Sequence, residues 1–152
     1  MKPSDDFHKV HLYLQQRNRQ YSVSEPFARS FGFTLSELLV LIPLHFDAEG
    51  NPSTGCTQTE IVRRENLTKQ TVSLIVRSFA KAGIVSLETN PDDRRTKLVK
   101  LTEEGRRQTT PVINDFTNRW NRAMAALTSQ EYASLMGLMT KLADNIEDSF
   151  SR

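Results

Sequence analysis

The 152-residue sequence predicts a mainly α-helical fold with one small β-hairpin. Three observations favour it. Apolar residues recur at helical spacing along most of the chain. Thr-x-x-Glu capping boxes, which close the start of a helix, begin at Thr34, Thr57 and Thr128. Residues 84–101 place β-branched and aliphatic residues on both sides of a charged turn, which is typical of a hairpin.

Length, charge and hydropathy restrict the class of protein. A chain of 152 residues forms one domain or one chain of an intertwined dimer. The net charge is only +2, but residues 57–107 hold 11 basic and 7 acidic groups while each flank is net −1, so a local basic patch suits a polyanion. Without an apolar run of about 18 residues or a signal sequence, we expect a cytoplasmic protein with no membrane partner. The single cysteine excludes an internal disulfide framework.

The first third of the chain reads as helices. Phe7, Val10 and Leu14 form an apolar stripe that predicts a first helix, and Pro26 predicts either a break or a fresh start capped by Ser24. Thr34 starts the next helix, which should kink or end near Ile42 because Pro43 follows. A buried strand at 38–46 is the alternative.

The centre of the chain predicts two short capped helices and a hairpin. Thr57 starts the first helix and Thr68 caps the second, whose Val72, Ile75, Val76 and Phe79 form one apolar stripe. The opposite face carries Lys69, Gln70, Ser73, Arg77 and Lys81, the donors that a helix in a DNA major groove presents. Taken alone, that face is more commonly just solvated. Gly83 predicts a left-handed end to the helix, and strands at 84–88 and 96–101 follow it.

The last third of the chain predicts two long amphipathic helices. Thr102 caps the first, in which Pro111 should cause a bend, and the box at Thr128 starts the second. Their apolar stripes expose more surface than a small domain needs. The final helix places on one face Tyr132, Leu135, Met136, Met139, Leu142 and Ile146.

Residues 57–105 resemble the MarR (multiple antibiotic resistance regulator) family of bacterial winged-helix transcription factors. The resemblance depends on the order and spacing of short strings rather than on any one of them. The strings are Thr57-Gln58 with Glu60-Ile61, Leu67-Thr68-Lys69-Gln70-Thr71-Val72-Ser73, Lys81-Ala82-Gly83-Ile84-Val85, and Pro91-Asp92-Asp93-Arg94-Arg95-Thr96-Lys97-Leu98-Val99 running into Leu101-Thr102-Glu103-Glu104-Gly105.

The resemblance implies a winged helix-turn-helix DNA-binding region at 34–102 and a helical dimerisation region formed by 1–33 and 103–152. It further implies a homodimer on a pseudo-palindromic operator, acting as a repressor. A small-molecule effector, phenolic or otherwise aromatic, would relieve DNA binding. A closed monomeric core is the alternative to the dimer.

Candidate site residues follow from this expectation. The residues expected to contact DNA are Thr57, Gln58, Thr68, Lys69, Gln70, Thr71, Ser73, Arg77, Arg94, Arg95 and Lys97. Asp92 and Asp93 are expected to shape the wing. Cys56 precedes a helix start, where the helix dipole would lower its pKa, so a redox switch at this thiol is a second possibility. A small buried side chain is the commoner role of such a cysteine.

Other classes of function have weaker support. His8 and His11 lie three apart with Asp5 nearby, but exposed histidines are far commoner than metal ligands, so we predict no metal. No Gly-rich phosphate loop or nucleophile and base pair occurs, so we expect no enzyme and no cofactor. The rival to a DNA-binding regulator is a winged helix that serves as a protein-interaction module without DNA affinity.

Overall fold

The computed structural model describes residues 5–151 as seven helices and a three-stranded sheet. The mainly helical fold with a small wing is confirmed. The helices are α1 (Asp5–Tyr21), α2 (Ser24–Ser30), α3 (Leu35–His45), α4 (Gln58–Glu65), α5 (Lys69–Lys81), α6 (Glu103–Met124) and α7 (Ser129–Phe150). The strands are β1 (Cys56–Thr57), β2 (Val85–Thr89) and β3 (Lys97–Leu101). The chain divides into two compact units, which are Met1–Ile113 and Asn114–Arg152.

The three predicted capping boxes are present. Thr34, Thr57 and Thr128 each accept a hydrogen bond from the backbone amide of the glutamate three residues later, and each glutamate accepts one in return. The predicted cap at Ser24 is wrong, because α2 begins after Val23 without a side-chain cap.

Proline at position 43 does not end α3. The helix continues to His45, so the predictions of an end near Ile42 and of a strand at 38–46 are both wrong. Leu38, Leu41 and Leu44 are all buried at helical spacing, and this burial holds the segment as a helix. Pro43 lies in the last turn, where its missing amide leaves only one carbonyl without a helical partner.

The core of the first unit lies under α4 and α5. Ile61 of α4, Val72 and Val76 of α5, and Val99 of β3 are almost fully buried, as are Leu38, Leu41 and Leu44 of α3. The predicted stripe of α5 is therefore confirmed as its core face. This burial fixes which face of α5 is left for solvent or a partner.

The end of α5 turns the chain into the wing. Gly83 adopts φ +74, as predicted, and the amides of Gly83 and Ile84 donate to the carbonyls of Ala80 (3.1 Å) and Phe79 (2.9 Å). This pair of bonds is the Schellman motif. Gly105 lies so close to the Ile84 carbonyl that a Cβ would overlap it, which lets α6 start against the base of the wing.

The wing is part of a sheet of order β1-β3-β2, antiparallel throughout. The hairpin of β2 and β3 is confirmed, and in the structure Leu87 pairs with Val99. Strand β1 was not predicted: Cys56 and Thr57 pair with Val99 and Leu98. This pairing fixes the start of α4 directly beside the wing.

Within residues 5–151 no single helix is long and apolar enough to cross a membrane. The bent pair Phe7–Ser30 and Leu35–His45 meets that measure only when its two parts are joined.

Candidate nucleic-acid interface

Helix α4 begins with its amide end closed by an acid. The amide of Thr57 donates to Glu60 Oε2 at 2.6 Å, and the Thr57 hydroxyl donates to the same oxygen at 2.9 Å. The Thr57 hydroxyl also accepts from the Glu60 amide at 3.2 Å. The carboxylate therefore occupies the positive end of the helix dipole, and the Thr57 side chain is already engaged.

The turn between α4 and α5 is tight. Asn66 takes the left-handed conformation, φ 50, and ends α4, and Thr68 then caps α5. Arg64 Nη2 donates to the carbonyls of Phe46 (3.0 Å) and Asp47 (3.1 Å), which fixes α4 against the end of α3. The predicted helix-turn-helix outline is thus confirmed.

Helix α5 begins with its amide end open. Thr68 Oγ1 accepts from the Thr71 amide at 3.1 Å and lies 2.8 Å from Thr71 Oγ1, so the two hydroxyls belong to the cap. Among α2 to α7, whose first turns are all described, α5 alone has no acid there. Such an amide end favours an anion.

The exposed face of α5 holds the predicted DNA-contacting residues. Lys69, Gln70 and Arg77 are exposed, and Thr71 and Ser73 are half-buried at its edges. Leu74 also belongs to this face, with 57% of its surface exposed. The sequence reasoning missed Leu74, although its place opposite the buried stripe could have revealed it.

The tip of the wing is held by short-range bonds. Asp93 Oδ1 accepts from the Arg95 amide at 3.0 Å and from Arg95 Nε at 3.3 Å, and the Asp93 carbonyl accepts from the Thr96 amide at 2.9 Å. Asn90 Oδ1 accepts from the Asp92 amide at 3.0 Å. Asn90, which was not predicted, therefore shapes the tip together with Asp93, while Asp92 takes part through its backbone.

The basic residues of the wing face solvent. Arg94 is exposed, and the Arg95 side chain is 92% exposed despite its contact with Asp93. Lys97 Nζ donates to Thr89 Oγ1 at 3.0 Å. A shallow cleft brings Lys97 and Thr96 together with Thr57, Gln58 and Thr59, so the start of α4 and the wing form one surface.

Cys56 does not have the environment of a reactive thiol. It is buried, and its Sγ lies 3.7 Å from the Pro43 carbonyl. Burial raises the pKa of Cys56 to about 12, with the charge of Glu60 adding to the effect. The lowering expected from the helix start is not found, and the thiol stays protonated at neutral pH.

The described residues 5–151 contain no cluster of three or more His, Cys, Asp or Glu side chains placed to hold a metal ion. His8 and His11 lie exposed on α1, and His11 stacks on Phe7 with 6.2 Å between ring centroids.

The geometry above agrees with comparisons to known proteins. Residues 31–96 match the model of the MarR family. The match covers 66 of the chain's 152 residues and supports an assignment to the MarR family. The matched segment runs from the end of α2 to the tip of the wing and so includes α4, α5 and most of the wing.

Individual relatives of the chain are distant. The uncharacterized HTH-type transcriptional regulator YdgJ of Bacillus subtilis is 22% identical over 92 residues, which are 60% of this chain and 56% of YdgJ. The chain spans about half the length of the curated relatives it matches.

Solved structures of the family share the fold over most of the chain. NMB1585, a MarR family regulator from Neisseria meningitidis, has a TM-score of 0.79 and 23% identity over 94% of this chain and 96% of its own. PcaV, a transcriptional regulator from Streptomyces coelicolor solved in complex with its natural ligand, has a TM-score of 0.67 and 19% identity over 95% of this chain and 97% of its own. At such identities these likenesses concern the fold.

Proposed function

We propose that this chain is a MarR family regulator that binds double-stranded DNA sequence-specifically and controls transcription. One observation supports the proposal most strongly. Helix α5 exposes Lys69, Gln70 and Arg77, and its first turn contains no acid. Phosphates and base edges are the groups that such a face recognises.

Within this proposal α5 lies in the major groove. Gln70 makes a bidentate contact with adenine, and Lys69 binds guanine or a phosphate. Thr71 and Ser73 lie at base edges, and Arg77 neutralises a phosphate. The residues that read sequence are thus those of the first two turns of α5.

The start of α4 and the wing would hold the DNA backbone. Because Glu60 takes the Thr57 amide and hydroxyl, we assign the phosphate contact at α4 to Gln58 rather than to Thr57. Arg94 and Arg95 reach the minor groove or its flanking phosphates, and Lys97 lies between the wing and α4.

We further propose that the protein is a homodimer, with a DNA-binding region at 34–102 and a dimerisation region formed by 1–33 and 103–152. The apolar face of α7 supports this, since Leu135, Met139, Leu142 and Ile146 are 37%, 55%, 39% and 39% exposed. On α1, Phe7 and Val10 are 62% and 54% exposed. A two-fold axis would cover these faces and would require a pseudo-palindrome with half-sites about 10 base pairs apart.

Light scattering after gel filtration tests the dimer. Met139→Glu places a charge in the apolar face of α7, and Thr140→Glu places one on the same helix outside that face. We expect the mass of a dimer for the wild type and Thr140→Glu, and that of a monomer or an unfolded chain for Met139→Glu. A monomeric wild type at micromolar concentration contradicts the dimer.

Repression and effector response complete the proposal. PcaV, which shares the fold, was solved with its natural ligand, and this supports an effector here. The resemblance to the MarR family favours a phenolic or other aromatic compound. Such a compound releases DNA only if it binds the DNA-free state more tightly. Fluorescence anisotropy tests the effector response by measuring whether aromatic acids release a labelled duplex. Repression follows if the operator overlaps a promoter.

Selection from a random duplex library tests the proposed function itself. We expect a pseudo-palindrome to be enriched and its affinity to fall steeply with salt concentration. Failure to enrich any sequence, with weak binding that is indifferent to salt, would contradict the proposal and favour the protein-interaction module.

A further inference from the structure

Leu74 lies on the wrong side of α5 for a core residue. It is 57% exposed, while Val72, Ile75 and Val76 on the same helix are at most 9% exposed. At about 100° of rotation per residue, Leu74 lies roughly opposite the buried stripe. Its side chain therefore adds little to the stability of the fold.

The neighbours of Leu74 on the exposed face are polar. Gln70 lies four residues before it and Arg77 three residues after it, so the three side chains form one row along α5. A single exposed leucine is ordinary on a protein surface. This one, however, occupies the centre of the face that we assign to the major groove.

One apolar group is available in that groove. The major-groove edges of the base pairs present hydrogen-bonding atoms, and thymine adds its C5-methyl group. We propose that Leu74 contacts a thymine methyl and makes this position of the operator selective for thymine. The proposal rests on the proposed DNA-binding function.

The position of that thymine follows from helix geometry. Four residues advance about 6 Å along a helix, and base pairs follow one another at about 3.4 Å. The thymine should therefore lie within about two base pairs of the base that Gln70 reads. Burying one methyl group corresponds to about a fourfold change in affinity.

Deoxyuridine substitution tests the contact, because it removes only the methyl group. Each thymine of the selected duplex is replaced in turn, and the wild type, Leu74→Ala and Leu87→Ala are titrated. Leu87 is a matched control, since it is a 46% exposed leucine on β2. The wild-type scan requires no variant to fold, and circular dichroism melting checks both variants.

We expect about a fourfold loss at one thymine near the Gln70 base for the wild type and Leu87→Ala. Leu74→Ala should bind the thymine duplex more weakly and show no further loss with deoxyuridine. An equal deoxyuridine loss in Leu74→Ala, or no loss at any thymine in the wild type, would overturn the proposal. If a duplex is selected and Gln70→Ala changes its preference, such a result refutes the Leu74 contact alone. If no duplex is selected, the DNA-binding proposal itself has failed.

Discussion

Helices α4 and α5 begin in the same way and differ at one position. Thr57 and Thr68 each accept a hydrogen bond from the amide three residues later, at 3.2 and 3.1 Å. That third residue is Glu60 in α4 and Thr71 in α5. Glu60 closes the positive end of α4 with a carboxylate, whereas α5 keeps its end open to an anion.

The two helix starts differ in what they favour. The capping box of α4 stabilises the start of that helix, and its carboxylate does no harm if no anion binds there. Helix α5 lacks that acid and is held instead by its buried stripe and by the Schellman motif at Gly83. Under the proposed function, the DNA lies against this open end of α5.

Adding an acid to the first turn of α5 should weaken DNA binding more than any other substitution described below. Thr71→Glu gives α5 the capping box of α4 and should raise the free energy of unfolding by about 0.5 kcal/mol. A carboxylate about 5 Å from a phosphate costs roughly 3 kcal/mol, so the Kd for the selected duplex should rise on the order of a hundredfold. Fluorescence anisotropy measures the Kd. Thr71→Gln, the neutral control, should lose far less, and an unchanged Kd for Thr71→Glu would place the DNA elsewhere.

The pH dependence of stability tests the role of His45 in α3. His45 is buried at the end of α3, and because the Thr109 hydroxyl donates to the Gly105 carbonyl (2.7 Å), His45 Nε2 donates to Thr109 Oγ1 (2.8 Å). Burial, and then the charge of Arg106, lowers the pKa of His45 to about 4 from its usual 6.5. The unfolded chain therefore binds a proton that the folded chain does not, and stability is lost as the pH falls from about 6.5 to about 4.

Between pH 7 and 4.5 this histidine should lower the free energy of unfolding by about 2–3 kcal/mol. Urea unfolding of the wild type and His45→Gln at both pH values isolates it from the carboxylates. An identical pH dependence in the two proteins would contradict the role of His45. The comparison of α4 with α5 is best measured above pH 6.5.

Substitutions of the two glutamines near the helix starts should have different kinds of effect on DNA binding. Gln70→Ala in α5 should cost about 1–3 kcal/mol on the selected duplex and relax the sequence preference at one position. Gln58→Ala in α4 should weaken binding to all duplexes alike, because a phosphate contact carries no sequence information. Repeating the library selection with each variant measures this. A relaxed preference in Gln58→Ala would exchange the roles of the two helices.

The wing should contribute charge without specificity. Arg94→Ala should weaken binding to all duplexes and reduce the slope of log Kd against log salt by about 1, as expected when one phosphate contact is lost. Arg122→Ala, on α6 in the second compact unit, is the control with an unchanged slope. An unchanged slope for Arg94→Ala would count against the wing.

Removing the charge of Glu60 at the start of α4 should have the smallest effect on DNA affinity. Glu60→Gln keeps an acceptor for the Thr57 amide but removes the charge, so the free energy of unfolding should fall by less than about 1 kcal/mol. DNA should bind a few-fold more tightly, since a repulsion beside the Gln58 contact is gone. A titration at low salt measures this effect, and weaker binding would contradict the account of α4.

Local signals predicted much of the fold. The capping boxes at Thr34, Thr57 and Thr128 and the turn at Gly83 depend on residues within a few positions of each other, and all four are present. The buried stripe of α5 was likewise visible as a spacing. These features need no knowledge of distant contacts.

The failures have non-local causes. Strand β1 exists because Cys56 pairs with Val99, 43 residues later, and two residues carry no pattern of their own. Pro43 is accommodated because the core buries α3, and this overrides the local preference to stop. The redox switch at Cys56 is not supported because burial raises the pKa of the thiol, and a buried side chain was the commoner of the two roles that the sequence left open.

The candidate site was predicted as a set of residues but not as a geometry. Lys69, Gln70 and Arg77 are exposed as expected. The predicted capping box already implied that Glu60 engages Thr57, and the spacing of the buried stripe already implied that Leu74 is exposed, but neither inference was carried into the site. The role of Asn90 in the wing required coordinates, because it depends on which partner the side chain has found.

A phosphate scan of the selected duplex shows which helix start lies against the DNA. Each phosphate is replaced in turn by a neutral methylphosphonate, and the wild type, Thr71→Glu and Glu60→Gln are titrated. We expect at least one phosphate whose neutralisation weakens the wild type and relieves the defect of Thr71→Glu, because that phosphate lies at the open end of α5. If the phosphates that matter respond to Glu60→Gln and not to Thr71→Glu, the DNA lies against α4 and the account is contradicted.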